Sequence, residues 1–242
     1  MSHPASSAPT VVLVHGAWAD ASSWRSVIPL LLGAGLSVVA VQNPTTSLAD
    51  DVAATRLTLD SIDGPVVLAG HSWGGTVITE AGNDPKVKAL VFVAAFAPDA
   101  GQSTGDQVSA HPAPPALGGV VPFGNGYLKM SPESWIHNVA QDLGREDALL
   151  LSVVQTPLGL STFGDKVGKA AWSDRPCWYL VSGDDRAVSV ELQRELATRM
   201  NARTVELASS HMSPLSQPKA VADAILDAVA AVTSAERAGP PA

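Results

Sequence analysis

Ser72 stands between two glycines in Gly70-His71-Ser72-Trp73-Gly74, after the apolar run Val66-Val67-Leu68-Ala69 and before Thr76-Val77-Ile78-Thr79-Glu80-Ala81. The first run reads as a short buried strand and the second as the helix that follows. A serine at a strand-to-helix turn of this kind is a nucleophile elbow, where a strained backbone lifts the hydroxyl clear of the sheet. Glycines flank it because strand and helix backbones come too close for side chains. A bare G-x-S-x-G arises by chance in roughly one chain in ten of this length, so the chemistry rests on its companions.

A serine nucleophile needs donors for an oxyanion and an acid–base pair to move its proton. The strand-like Val11-Val12-Leu13-Val14 runs into His15-Gly16-Ala17-Trp18, where a turn after the first strand supplies one backbone donor. The expected donors are the N–H groups of Ala17 and of Trp73, the latter aided by its helix N-terminus. The acid follows the serine in the chain and the histidine follows the acid. Cys177-Trp178-Tyr179-Leu180-Val181 is a further buried strand, and Ser182-Gly183-Asp184-Asp185-Arg186 is the loop after it. A carboxylate at that end of a late strand can reach back to the elbow. Asp185 is the first choice, Asp184 the second and Asp99 a distant third. Turn chemistry or helix capping accounts for an aspartate left without a role. Thr204-Val205-Glu206-Leu207 reads as the last strand, and His211 beyond it is the only histidine downstream of Asp185. His211 is therefore the expected base.

The other histidines carry less. His3 falls in a leader expected to be disordered, His111 in a proline-rich loop, and His137 after Trp135-Ile136 in an expected cap helix, where a structural role is favoured over lining the pocket. His71 is expected to point away from Ser72 and to pack or bond locally. These histidines are scattered, and no cysteine or acidic pair supports them, so neither a metal nor a cofactor is expected.

The elements that must position these groups alternate apolar runs with helical patterns, which predicts a parallel sheet covered on both faces. Strands are expected near Val11–Val14, Ser37–Val41, Val66–Ala69, Leu90–Val93, Trp178–Val181 and Thr204–Leu207. Ser47-Leu48-Ala49-Asp50 resembles a capping arrangement that opens a helix to about Ile62. Pro218 fits the first turn of a last helix, with Val221, Ile225, Val229 and Val232 on one buried stripe. The expected layout is a leader at 1–9, a core at 10–97 and 175–235, an insertion at 98–174 and a flexible tail at 236–242. The insertion begins with Gln102–Gly126, rich in Gly, Pro and Ser. It then turns helical, with a start at Ser131-Pro132-Glu133 and a short helix over Asp147–Val154. It follows the fourth strand, so it lies over the carboxyl ends of the sheet as a cap. Its apolar residues (Leu117, Val121, Phe123, Tyr127, Trp135, Leu151 and Phe163) face either the pocket or a small core of the cap's own. Trp18 and Trp73 are expected to wall the pocket near the nucleophile, with scaffold packing as the alternative for either.

The 242 residues suit one such domain, and a formal net charge of −8 with no basic run disfavours nucleic acid and anionic membrane surfaces as partners. The single cysteine, Cys177, is expected to be a small buried hydrophobe. The longest apolar run, near Leu30-Leu31-Leu32, is broken by Gly33 and Gly35 and is too short to span a bilayer. With no secretory signal evident after Met1, a cytoplasmic protein is expected.

The chain resembles the α/β-hydrolases, and more narrowly the plant methylesterase and hydroxynitrile lyase branch with its bacterial esterase relatives. His15-Gly16-Ala17-Trp18 with Ser23-Trp24, Gly70-His71-Ser72-Trp73-Gly74-Gly75, and Ala94-Ala95-Phe96-Ala97-Pro98-Asp99-Ala100-Gly101 carry the likeness. Asp185 with Val190-Glu191-Leu192-Gln193, and Ser210-His211-Met212 leading into Leu215-Ser216-Gln217-Pro218, complete it in collinear order. The resemblance implies an α/β-hydrolase fold with a mostly parallel six-stranded sheet, and the acid on Asp185. Lyase members carry a Thr where Gly16 stands and a Lys where Met212 stands, so ester hydrolysis is the expected reaction. A lactonase, a cofactor-free perhydrolase or haloperoxidase, a lyase, and a non-catalytic binder are the alternatives. The expected substrate is a small to medium, largely apolar neutral ester, in a pocket lined by Trp18, Phe123, Tyr127, Trp135 and Met212.

Overall fold

The structure is a computed structural model that describes residues 8–238. The chain runs through β1 (Thr10–Val14), α1 (Ile28–Gly33), β2 (Val38–Val41), α2 (Leu48–Asp60), β3 (Val66–His71), α3 (Trp73–Ala81) and β4 (Val87–Val93). An insertion follows with α4 (Thr104–Ser109), β5 (Val120–Phe123), β6 (Tyr127–Met130), α5 (Pro132–Ser134), α6 (Arg145–Val153) and β7 (Leu158–Gly159). The chain then closes with β8 (Cys177–Ser182), α7 (Val190–Arg199), β9 (Arg203–Leu207), α8 (Ser213–Ser216) and α9 (Pro218–Ala238).

Six strands form one sheet in the order β2-β1-β3-β4-β8-β9, and every pairing in it is parallel. Each expected strand is present within a few residues. The order reverses direction between β1 and β3, and the carboxyl ends beside that switch are where ligands collect in such sheets. Side chains alternate across the central strands, so each strand feeds two cores. Val12, Val14, Leu68, Phe92 and Tyr179 pack beneath α2, α3 and α7. Val11, Leu13, Val67, Val91 and Leu180 pack against Trp24, Leu31 and the α9 stripe. That stripe (Val221, Ile225, Val229 and Val232) is buried as the periodicity predicts. Ser47 caps α2 by accepting a hydrogen bond from the Asp50 N–H. Cys177 is a free, buried thiol whose pKa burial pushes up to about 12, as expected of a small apolar filler.

The insertion departs from expectation at its start. Residues 120–130 form a hairpin, and β7 adds a third strand in a small antiparallel sheet. The overlooked signal is Asn125-Gly126 between Val121, Phe123 and Tyr127, a turn dipeptide flanked by β-formers; Gly124 and Gly126 both take positive φ there. The expected helix start at Ser131 is present and caps α5. The chain runs on from α5 into a π-helical turn, Trp135–Val139. Leader residues 1–7, with His3, and residues 239–242 lie outside the described residues. Residues 236–238, expected in a flexible tail, instead continue α9. Among the described residues no helix is long and apolar enough to cross a membrane.

Candidate active site

Between β3 and α3 a single residue makes the turn. Ser72 has φ 54° and ψ −121°, a conformation costing a non-glycine residue about 1–3 kcal/mol. Surrounding bonds hold it there: Ser72 N–H donates to Val93 O at 3.1 Å, and Ser72 O accepts from Gly75 N at 2.9 Å and Phe96 N at 3.2 Å. The flanking glycines are steric necessities. A Cβ on Gly70 would meet Gly74 O at 2.5 Å, and one on Gly74 would meet Val14 O at 2.5 Å.

Asp185 and His211 meet at the ends of β8 and β9. His211 Nδ1 lies 2.7 Å from Asp185 Oδ2, so Nδ1 carries the hydrogen and Nε2 is the accepting nitrogen of the neutral ring. The carboxylate is saturated with donors. Its Oδ1 accepts from the N–H groups of Ala187 at 2.7 Å and Val188 at 3.0 Å, and its Oδ2 from Gln193 Nε2 at 2.8 Å. Asp184 is exposed. Its backbone joins Ser209 O and Gln141 Nε2, but its carboxylate makes no bond to the described residues. Asp99 pairs with Arg199, away from the histidine. Ser72 and His211 line one cavity.

Ala17 lines the same cavity, and Trp73 begins α3. Among the described residues neither backbone N–H is taken by a protein acceptor. His15 orients the first. Its Nε2 accepts from Asn43 N–H at 2.9 Å, which places its hydrogen on Nδ1, 2.8 Å from Gly16 O. Gly16 O and Ala17 N–H belong to one planar peptide and point opposite ways, so this bond turns the Ala17 N–H away from the His15 ring. Burial lowers the His15 pKa, in keeping with a neutral, directional ring.

Two neighbours escaped the sequence reading. His71 does more than pack locally: its Nε2 donates to His211 O at 2.8 Å, and the two rings lie 4.7 Å apart. Burial, followed by the charge of His211, holds the His71 pKa well below its ordinary value. His71 therefore props the backbone of His211 as a neutral ring. Asp51 is fully buried and accepts from the Trp73 indole N–H and from Thr45 N–H, both at 2.7 Å. Desolvation raises its pKa to about 6. Among the described residues no cation offsets that burial, and no spacing in the sequence links Asp51 to Trp73.

The cavity has a volume of about 510 Å³, open solvent at its mouth included. Apart from Ser72, His71 and His211, its lining is apolar. Of the residues assigned to the pocket, Trp18, Trp135 and Met212 line this cavity, joined by Phe163 and Phe96. Phe163 touches the rings of Trp18, Trp73 and Phe96 at 5.8, 5.7 and 6.4 Å between centroids. Trp73 itself lies behind Phe163 instead of lining the cavity. Phe123 and Tyr127 do not line it either. They sit on the outer hairpin, 46% and 38% exposed, because the strand register turns them outward. His111 pairs with Glu195, and the carbonyl of His137 accepts from Arg186. Among the described residues no cluster could hold a metal ion.

The chain matches the alpha/beta hydrolase family over residues 11–224. It is 24% identical to a probable hydrolase R7 of Phoma sp., covering 90% of this chain and 97% of that protein. It is 27% identical to an alpha-hydroxynitrile lyase of Arabidopsis thaliana, over 88% and 94% of the two chains. The crystal structure of polyneuridine aldehyde esterase superposes with a TM-score of 0.79 at 26% identity, over 92% of this chain and 99% of that one.

Proposed function

The chain belongs to the alpha/beta hydrolase family, and from that premise we propose that it is a serine hydrolase cleaving small to medium, largely apolar neutral carboxylic esters. The observation that carries this reading is the 2.7 Å His211–Asp185 pair, with His211 and the strained-elbow Ser72 lining one largely apolar cavity. In the proposed reaction His211 Nε2 takes the Ser72 proton as Oγ attacks the ester carbonyl. The N–H groups of Ala17 and Trp73 hold the oxyanion. The tetrahedral intermediate collapses, and His211 protonates the departing alcohol. Water, deprotonated by His211, then releases the acid from Ser72. The insertion acts as a cap that shields the acyl-enzyme, and the uncharged lining favours neutral substrates.

The lyase relative makes cyanohydrin cleavage the natural competitor. Two features weigh against it. A Cβ at position 16 would meet the Ser72 Cβ at 2.9 Å, leaving no room for threonine in this turn. Position 212 presents a buried methionine instead of a lysine. No feature favours a lactonase or perhydrolase over the esterase. The test is hydrolysis of p-nitrophenyl esters from acetate to decanoate, with fluorophosphonate labelling, in wild type and Ser72→Ala. Activity and labelling that both vanish in the variant are expected. Labelling that persists would remove Ser72 as nucleophile, and a wild type silent on every ester would refute the esterase reading.

A further inference from the structure

Two adjacent cap residues hold the two loops that carry the acid and the base. Gln141 Nε2 donates to Asp184 O at 2.8 Å, one residue before Asp185. Asp142 Oδ2 accepts from Ser210 N–H at 2.8 Å and its Oδ1 from Ser210 Oγ at 2.5 Å, one residue before His211. Ser210 Oγ in turn accepts from Met212 N–H at 3.1 Å, so the carboxylate of Asp142 fixes His211 from both sides through one buried serine. A charged acceptor taking two donors is the strong form of such a contact. The segment leading to this pair is the π-helical turn Trp135–Val139, a rare geometry frequent at functional sites. Its first and last residues, Trp135 and Val139, line the cavity. Pocket wall and loop contacts thus sit on one short stretch of chain.

We infer that Gln141 and Asp142 are positioning residues that set the register of Asp185 and His211 through docking of the cap. This rests on the esterase reading for its kinetic consequence but not for its geometry. Neither side chain lines the cavity, so neither is a specificity determinant. Their contacts reach the reacting groups only through Asp184 and Ser210. A misplacement of about 1 Å in a catalytic group costs on the order of 100-fold in rate, and the loops are also tied to each other by Asp184 N–Ser209 O and Gly183 N–Leu207 O bonds. The expected loss is therefore smaller, about tenfold.

The experiment compares Asp142→Ala, Asp142→Asn and Gln141→Ala with wild type on the best p-nitrophenyl ester. Asp142→Ala should lower kcat about tenfold with KM nearly unchanged. Asp142→Asn should recover part of it, because the amide oxygen still accepts one Ser210 donor. Gln141→Ala should show a smaller loss of the same kind. A raised KM at unchanged kcat, or no change in either, would overturn the inference. The downfield proton resonance of His211 Nδ1–H reads the same placement without substrate. It should broaden or shift in Asp142→Ala and shift less in Asp142→Asn. A wild type without esterase activity would sink the proposed reaction alone, whereas an unaltered resonance in Asp142→Ala would sink the positioning role alone.

Discussion

Replacing Asp185 by asparagine changes one atom of the carboxylate and leaves its volume intact, which makes it a sharp probe of the proposed acid. Four donors converge on the native group: the N–H groups of Ala187 and Val188 on Oδ1, and Gln193 Nε2 and His211 Nδ1 on Oδ2. An amide cannot serve all four. With its NH2 at the Oδ1 position it faces two backbone donors, and a lost bond of this kind costs about 1–3 kcal/mol each. With its NH2 at the Oδ2 position it faces Gln193 Nε2 and forces His211 to accept at Nδ1. That tautomer carries its hydrogen on Nε2 and cannot take the Ser72 proton. The expected fall in kcat is about 10⁴-fold, as for the wrong tautomer in other serine triads, or about 5.5 kcal/mol of barrier. Asp184→Asn alters an exposed carboxylate with no partner among the described residues and should change kcat less than about twofold. The assay is steady-state hydrolysis of a p-nitrophenyl ester, with thermal unfolding alongside to separate lost fold from lost chemistry. An Asp185→Asn enzyme that keeps a tenth of wild-type kcat, or a larger loss in Asp184→Asn, would refute the reasoning.

Gly74→Ala should lower kcat by about 100-fold, since a Cβ at 2.5 Å from Val14 O displaces the start of α3 by about 1 Å; wild-type kinetics in this variant would show that the elbow tolerates the shift. Phe163→Ala should move the acyl-length optimum upward by removing the ring that meets Trp18, Trp73 and Phe96. The ratio of kcat/KM for decanoate over acetate should rise about tenfold, and an unchanged profile would take Phe163 out of the pocket's size limit. Asp51 has a folded pKa of about 6, above its value of about 3.9 in an unfolded chain. The folded state therefore binds its proton more tightly, and the stability this adds is complete below the unfolded pKa and lost as pH rises through about 6. Denaturant unfolding of wild type and Asp51→Asn should show the wild type gaining about 2 kcal/mol on the variant between about pH 7 and about pH 4; a difference that does not vary with pH would contradict it.

The chain order of Ser72, Asp185 and His211, the six strands and the glycine turns were all legible in the sequence. Each is fixed by local rules: a period of two or 3.6 in apolar residues, a backbone that only glycine can fit, a capping serine such as Ser47. Sequence order also left His211 as the sole histidine after Asp185. The sequence ranked Asp185 ahead of Asp184, but no local rule separates the two. These adjacent side chains differ only in which way the loop after β8 turns, and β9 with its histidine decides that. The same holds for the pocket. Trp135 and Phe123 look alike as apolar residues of an insertion, yet a hairpin register exposes Phe123 while a π-helical turn buries Trp135. His71 gave no hint of its bond to a carbonyl 140 residues away, nor did Asp51 of the indole it holds. Hydrogen bonds between distant segments leave no period in the chain. They exist only once the two cores have closed on the sheet and brought its carboxyl edge together with the insertion.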